Sequence, residues 1–222
     1  MGAGKIPLTA ILAGGKARRM GVDKLTLPLA GVPLLERTWS RVAPVSERVI
    51  AVGGPPLLAS RSVETIPDLY PGADSMGGLA TALAHAAATG GPGAWALCVA
   101  CDLPLLEPAL LAYLGTLQTG WDAVVPRTPA GWEPLCAVYR ATCLPALEEE
   151  IRRGNLRIRD LFALVRTREV GPEELRRFDA DLRSFLNVNR PADLARAQEL
   201  LGAGPPEGVD VGSFIRFQSG VE

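Results

Sequence analysis

A strand-like run that ends in two glycines and a cluster of cations constrains this chain more than any other feature. Residues 6–12 are apolar, and Gly14 and Gly15 follow after a single alanine. A tight glycine turn leaves backbone N–H groups uncovered, and such concave backbones bind phosphate oxygens. Four cations add positive charge to the same segment: Lys16, Arg18, Arg19 and Lys24. The pattern predicts a phosphate-binding turn at the end of a strand, and a solvated basic turn is the alternative.

The glycine spacing separates this segment from two common nucleotide-binding loops. A Walker A loop requires Gly, four residues and then Gly-Lys-Ser/Thr, and no such spacing begins at Gly14 or Gly15. The dinucleotide fingerprint G-x-G-x-x-G is not found here either. We therefore expect phosphate binding of a different kind from that of ATPases with this loop or of Rossmann dehydrogenases.

Strand-like and helix-like segments alternate along most of the chain. Strands are predicted at residues 6–13, 48–53, 63–66, 94–101, 122–125, 133–140 and 163–170. Helices are predicted at residues 34–41, 77–88, 108–117, 141–153, 157–162 and 191–201. This alternation favours an α/β fold with a mainly parallel sheet. We expect one domain over residues 1–201, and the Gly- and Pro-rich stretch after it predicts a C-terminal extension or tail at 202–222.

Composition favours a globular protein that binds neither nucleic acid nor a membrane. The chain has 222 residues, a formal net charge of −1 and 48% hydrophobic residues. A balanced charge provides no general attraction for nucleic acid. No apolar run approaches the ~18 residues of a membrane span. Because the first strand begins so close to Met1, we expect no signal peptide and a cytoplasmic location.

The cysteine and histidine residues are weaker candidates for chemistry. Cys98 and Cys101 have the C-x-x-C spacing of some zinc and redox sites. They lie in a predicted strand, however, where residues three apart point to opposite faces. We therefore expect two buried, non-functional thiols. His85, the sole histidine, lies in an alanine-rich helix and is expected to have a packing or surface role.

Asp102 is the clearest candidate for a metal ligand. It directly follows the predicted strand 94–101. Because parallel strands end at one edge of a sheet, Asp102 should lie beside the turn that follows Leu12. Mg²⁺ prefers oxygen ligands and is often shared between one or two carboxylates and substrate phosphates. A turn-forming aspartate before Pro104 is the alternative interpretation.

Asn187 and Asn189 lie in a strand-like stretch just before the helix that starts at Pro191. Amide side chains can ligate Mg²⁺ or bind phosphate without adding charge. Asparagines near a Pro-Ala-Asp sequence are also typical of turns. The residues alone therefore leave a ligand role and a turn role open.

Three motifs together resemble those of the molybdenum cofactor guanylyltransferases, the bacterial MobA family. They are LAGGKARRMG-x-DK at 12–24, CDLP at 101–104 and NVNRPADL at 187–194. The resemblance covers the chain apart from its last twenty or so residues. It implies a Rossmann-like three-layer sandwich of the nucleotidyltransferase type. It also implies Mg²⁺-dependent transfer of GMP from GTP to molybdopterin, with release of pyrophosphate.

The resemblance assigns roles to the matching residues of this chain. It implies that Asp102 is the magnesium ligand and that Arg19, Lys24 and Asp102 are catalytic. The expected nucleotide-binding residues are Leu12, Ala13, Gly14, Gly15, Lys24, Asp68 and Asp102. Asn187 and Asn189 are expected to contact the substrate or a second metal. Molybdoenzymes or cofactor-delivery proteins are possible partners of such an enzyme.

Two segments depart from the family pattern. Residues 52–54 read Val-Gly-Gly where these enzymes often carry an asparagine, and 74–76 read Asp-Ser-Met in place of Gly-Pro-Leu. The related cytidylyltransferases typically show L-A-A-G at the first motif, so Gly14 favours guanine. A molybdopterin cytidylyltransferase, another nucleotidyltransferase acting on a phosphate and a non-catalytic nucleotide-binding module remain alternatives.

Overall fold

Strands and helices alternate along the chain, as the hydrophobic pattern predicts. The computed structural model describes residues 5–14, 24–56 and 58–202, with Lys24 by its backbone alone. The strands are β1 (Ile6–Leu12), β2 (Pro28–Leu29), β3 (Val32–Pro33), β4 (Ser46–Val52), β5 (Glu64–Ile66), β6 (Trp95–Ala100), β7 (Ala123–Thr128), β8 (Gly131–Trp132), β9 (Cys136–Arg140) and β10 (Thr167–Val170). The α-helices are α1 (Leu34–Val42), α2 (Asp74–Gly90), α3 (Pro108–Thr116), α4 (Leu144–Arg152), α5 (Pro172–Leu175) and α6 (Pro191–Leu200).

The central sheet is mainly parallel, which confirms the predicted fold class. Its strands follow the order β5–β4–β1–β6–β9–β7–β10, and β8 pairs with β7. β4 and β6 are parallel to β1, β5 is parallel to β4, and β10 is parallel to β7. β9 runs antiparallel to both β6 and β7. The parallel strands therefore all end on one side of the sheet, which we call the carboxyl edge.

Apolar side chains cover both faces of the sheet and produce a three-layer arrangement. On one face, Ile11 and Val99 pack with leucines of α1 and α3. On the other face, Ala10 and Leu12 pack with α2 and α4. β1 is therefore buried on both sides, as expected for a central parallel strand.

The predicted elements differ from the observed ones mainly at their ends. The predicted helix 141–153 begins as a 3₁₀ turn, and α4 starts only at Leu144. The predicted helix 157–162 is the 3₁₀ helix Ile158–Ala163, and the predicted strand 163–170 is shortened to β10. Within the described ranges, no helix is long and apolar enough to cross a membrane. Residues 203–222 of the predicted tail lie outside the described residues.

Candidate functional site

The ends of three neighbouring strands are joined at the carboxyl edge. The Ala13 N–H donates to the Val52 carbonyl at 2.9 Å, which links the end of β1 to that of β4. The Cys101 N–H donates to the Leu12 carbonyl at 3.3 Å, which links β1 to the residue after β6. Asp102 follows directly. The structure thus brings the start of the predicted phosphate turn next to the predicted metal ligand.

A glycine turn after β4 touches the start of the phosphate turn. Gly53 has φ +70°, and a Cβ built there would lie 3.1 Å from the Cα of Gly14. Gly54 has φ +74°, and its Cβ would lie 3.0 Å from the Ala13 carbonyl oxygen. Both positions favour glycine because the backbone is left-handed and the neighbouring atoms are main chain. The departure at residues 52–54 therefore has a packing role at this edge.

Asp102 also holds the asparagine segment in place. Its carboxyl group is half-buried, with a buried Oδ1, and its carbonyl accepts the Val188 N–H at 3.0 Å. Val188 is buried, whereas Asn187 and Asn189 on either side of it are exposed. The backbone that carries the two asparagines therefore runs next to Asp102 in the fold. The segment is irregular in the structure, so the predicted strand-like conformation is wrong.

Asp193 fixes the backbone of the same segment, a role that the sequence analysis did not assign. Its Oδ2 accepts the Asn189 N–H at 2.9 Å and the Arg190 N–H at 2.7 Å. A carboxylate in the first helical turn commonly caps the preceding backbone in this way. The Pro-x-Asp spacing at the start of α6 was the signal that could have revealed it. The cap orients Asn189 at the carboxyl edge.

Asp68 lies in the loop after β5, where its carboxylate organises the backbone. Its Oδ1 accepts the Tyr70 N–H at 2.9 Å and the Thr81 hydroxyl at 3.0 Å. Thr81 is buried in α2, and its oxygen also accepts the Leu69 N–H at 3.0 Å. The loop is therefore anchored to α2 through Thr81. The predicted contact between Asp68 and the nucleotide stays a prediction.

Tyr70 attaches the same loop to α4. Its hydroxyl donates to Glu148 at 2.6 Å. Burial, followed by the bond to Glu148, raises the pKa of Tyr70 to about 12. The loop is thus held from two helices, so Asp68 is presented on a restrained backbone.

The start of α2 explains how the unusual 74–76 segment is accommodated. Asp74 stands where the family pattern has glycine, and its φ is +49°. Aspartate is among the few non-glycine residues that adopt this region readily. A Cβ on Gly77 would lie 2.6 Å from the Tyr70 carbonyl oxygen, so this helical position requires glycine. The neighbouring Gly78 packs beside Leu12 of β1.

Part of the predicted phosphate turn lies outside the described residues, and Lys24 is described by its backbone alone. Gly15 and Arg19 lie outside the described residues. Lys24 begins a short 3₁₀ helix, Lys24–Thr26. Their roles remain predictions from the sequence.

The cysteines have no arrangement for metal or redox chemistry. Cys98 and Cys101 are buried thiols outside any disulfide, and they pack in the clusters on opposite faces of the sheet, as predicted. Burial raises the pKa of the Cys98 thiol well above its usual range. The described part of the chain contains no group of three or more His, Cys, Asp or Glu side chains that could hold a metal ion. One carboxylate with amide and phosphate oxygens nevertheless suits Mg²⁺, and Asp102 with its asparagine neighbours fits that donor set.

Comparisons with known proteins extend these observations. A family model described as the MobA-like NTP transferase domain matches residues 9–170. A probable molybdenum cofactor guanylyltransferase from Pelotomaculum thermopropionicum is 37% identical over 85% of this chain and 90% of its own length. A molybdenum cofactor guanylyltransferase from Desulfosudis oleivorans is 32% identical over 87% of this chain and 95% of its own.

Solved structures agree with the sequence matches. Molybdopterin-guanine dinucleotide biosynthesis protein A from Archaeoglobus fulgidus superposes with a TM-score of 0.74 and 31% identity, covering 88% of this chain and 98% of that one. The 2-C-methyl-D-erythritol 4-phosphate cytidylyltransferase from Thermus thermophilus has a TM-score of 0.62 at 15% identity, over 90% of this chain and 100% of that one. The second match shows the fold alone.

Proposed function

Since the chain belongs to the MobA-like NTP transferase family and is a nucleotidyltransferase, we propose that it transfers GMP from GTP to molybdopterin in an Mg²⁺-dependent reaction. The observation that carries this proposal is the hydrogen bond of 3.0 Å between the Val188 N–H and the Asp102 carbonyl. It brings the asparagine motif to the carboxylate at the end of β6. The phosphate turn begins on the adjacent strand, β1.

Catalysis of this reaction depends on positioning the acceptor phosphate and GTP rather than on proton transfer. An oxygen of the terminal phosphate of the acceptor attacks the α-phosphorus of GTP. The bond to the bridging oxygen between the α- and β-phosphorus breaks, and pyrophosphate leaves with the electron pair. The attacking oxygen is already an anion, so no general base is required. The barrier comes from bringing anions together and from charge on the leaving group, which oriented donors and cations reduce.

The predicted site residues have separate roles along the carboxyl edge. In this proposal the backbone from Leu12 to Gly15 binds phosphate oxygens, and the positive charges of Arg19 and Lys24 stabilise the leaving pyrophosphate. Asp102 would hold Mg²⁺, which neutralises charge around the α-phosphate when it is bound. Other predicted contacts are those of Asp68 with the nucleotide and of Asn187 and Asn189 with substrate or metal.

The unusual segments do not favour a different reaction. Gly53 and Gly54 are accounted for by their contact with the phosphate turn, and Asp74 has a left-handed backbone that would equally suit glycine. We therefore keep guanine as the base and molybdopterin as the acceptor. A cytidylyltransferase or a non-catalytic binding module becomes an outcome of the test.

The proposal is tested by measuring pyrophosphate release with molybdopterin, Mg²⁺ and either GTP or CTP. We expect release with GTP that requires the acceptor and Mg²⁺. A clear preference for CTP would assign the cytidylyl reaction. Persistent absence of pyrophosphate, with GTP still bound, would indicate a binding module.

A further inference from the structure

A half-buried carboxylate at the carboxyl edge has no part in the reaction described above. Glu133 directly follows β8, which pairs with β7 as a hairpin. Its N–H donates to the Pro126 carbonyl at 2.9 Å, and its carbonyl accepts the Cys136 N–H at 3.2 Å. The backbone that carries this side chain is therefore fixed on both sides.

Glu133 precedes β9 and Asp102 follows β6, and these two strands are neighbours in the sheet. β6 and β9 are antiparallel, and their pairing is extended by a hydrogen bond of 2.9 Å from the Ala100 N–H to the Leu135 carbonyl. Continuing this register by two residues would set Asp102 opposite Glu133. The chain turns at residues 101–102 before that point. The register therefore places both carboxylates at the same edge on adjacent strands, without setting the distance between them.

The hydrogen-bonding capacity of Glu133 is only partly used. The Thr128 hydroxyl donates to its Oε1 at 2.9 Å, and no residue in the described ranges donates to Oε2. A carboxylate can accept about four hydrogen bonds. Burial raises the pKa of Glu133, and the bond from Thr128 offsets this only in part. Oε2 is therefore available to accept hydrogen bonds.

Two other carboxylates with little exposure, Asp122 and Asp179, accept more hydrogen bonds than Glu133 does. Asp122 accepts two hydrogen bonds from the Arg166 guanidinium, which hold its pKa at about 2. Asp179 accepts two backbone N–H groups, from Arg183 and Ser184. Within the part of the chain that the structure describes, Glu133 has a single neutral donor, the Thr128 hydroxyl. It is thus suited to accept hydrogen bonds from a ligand.

We propose that Glu133 binds the pterin ring of the acceptor. Its carboxylate accepts hydrogen bonds from the ring N–H and from the exocyclic amino group, which lie side by side on the 2-amino-4-oxopyrimidine edge. These two donors are adjacent and nearly parallel, and they match the two oxygens of a carboxylate much as an arginine does. The inference rests on the proposed function, which supplies a pterin as acceptor. Guanine presents a similar edge, so the position of Glu133 must distinguish the two.

The strand order assigns Glu133 to the acceptor rather than to the nucleotide. The predicted nucleotide contacts follow β1 (Leu12 to Gly14) and β5 (Asp68), on one side of β6. Glu133 precedes β9, on the opposite side of β6. Asp102, at the end of β6, lies between them. A ligand held by Glu133 therefore approaches the transfer site from the side away from the predicted nucleotide contacts.

The test compares pterin with lumazine, in which an oxo group replaces the 2-amino group. Ligand fluorescence gives both affinities for the wild-type protein without turnover. We expect pterin to bind roughly tenfold more tightly, because lumazine offers an oxygen to the carboxylate where pterin offers a donor. In Glu133→Gln, pterin affinity should fall by about tenfold and lumazine affinity should change little.

Glu169→Gln is the matched control. Glu169 is an exposed carboxylate on β10 that pairs with Arg127 of the same hairpin at 3.1 Å. Its loss should leave both pteridine affinities unchanged, and thermal unfolding should verify that each variant is folded. The ratio of pterin to lumazine affinity in the wild-type protein is measured without any variant, so it remains informative if Glu133→Gln fails to fold.

Several outcomes would overturn the proposal. Equal wild-type affinities for pterin and lumazine, or no binding of either, would contradict it. If Glu133→Gln weakened GTP but not ITP, which lacks the 2-amino group, and left pterin unchanged, the residue would belong to the nucleotide site. A protein that releases no pyrophosphate but still discriminates pterin from lumazine through Glu133 would refute the transfer reaction alone.

Discussion

Substituting alanine for each of two adjacent glycines of α2 should have different effects on stability. A Cβ on Gly77 would lie 2.6 Å from the Tyr70 carbonyl oxygen, closer than the 3.0 Å that Cβ atoms keep. A Cβ on Gly78 would make ordinary contacts of 3.6 Å with the Leu12 side chain. Both replacements gain about 1 kcal/mol of helix propensity. Only the first must displace a backbone oxygen.

The magnitude follows from what the displaced oxygen does. The Tyr70 carbonyl accepts the Ala73 N–H at 3.1 Å, in the turn that leads into α2. Overpacking of a tight site costs about 1–3 kcal/mol, and weakening this bond adds about 1 kcal/mol. After the propensity gain, Gly77→Ala should lower the free energy of unfolding by about 1–3 kcal/mol. Gly78→Ala should leave it unchanged or raise it by up to about 1 kcal/mol.

Urea unfolding of the two variants and the wild type measures the difference. Because Asp68 lies in the same loop and accepts the Tyr70 N–H, Gly77→Ala should also raise the dissociation constant for GTP, whereas Gly78→Ala should not. Equal stabilities of the two variants, or a more stable Gly77→Ala, would refute the packing of α2 against this loop.

Three further predictions concern single carboxylates. Asp193→Ala should lower the free energy of unfolding by about 1 kcal/mol in urea, because the N–H groups ahead of α6 lose their acceptor. The Arg166 guanidinium lowers the folded-state pKa of Asp122 to about 2, so the pair stabilises the fold above about pH 4 and this contribution is lost as the pH falls toward 2. Asp122→Asn should flatten that part of the stability curve. Asp74→Val should be less stable than Asp74→Gly by about 1–2 kcal/mol in thermal or urea unfolding, because φ is +49° at this position.

Local patterns were sufficient for the class of fold and for part of the site. Apolar runs and glycine turns predicted the strands that end at the carboxyl edge. The rule that parallel strands end together predicted that Asp102 would lie beside Leu12, and the hydrogen bond from Cys101 to Leu12 confirms it. Each inference needed only a short stretch of chain and a general property of parallel sheets.

Features that depend on pairing between distant segments were missed. Residues 133–140 were predicted as a strand, but its antiparallel place between β6 and β7 depends on contacts across the whole sheet. Without that placement, nothing in the sequence marked Glu133 as a candidate site residue. Thr81 and Gly77 gave no signal either, because their roles arise from a loop that packs against α2 from outside the helix. The strand-like pattern at 187–189 was misleading because Val188 is held by a hydrogen bond to the Asp102 carbonyl rather than by pairing with a strand.

The central claim is that guanylyl transfer by this protein requires Asp102. The most direct measurement is mass spectrometric detection of the molybdopterin guanine dinucleotide formed from GTP, molybdopterin and Mg²⁺. Wild-type protein should form it, Asp102→Ala should not, and a variant of an exposed aspartate, Asp181→Asn, should match the wild type. Near-normal product formation by a folded Asp102→Ala variant would contradict the account.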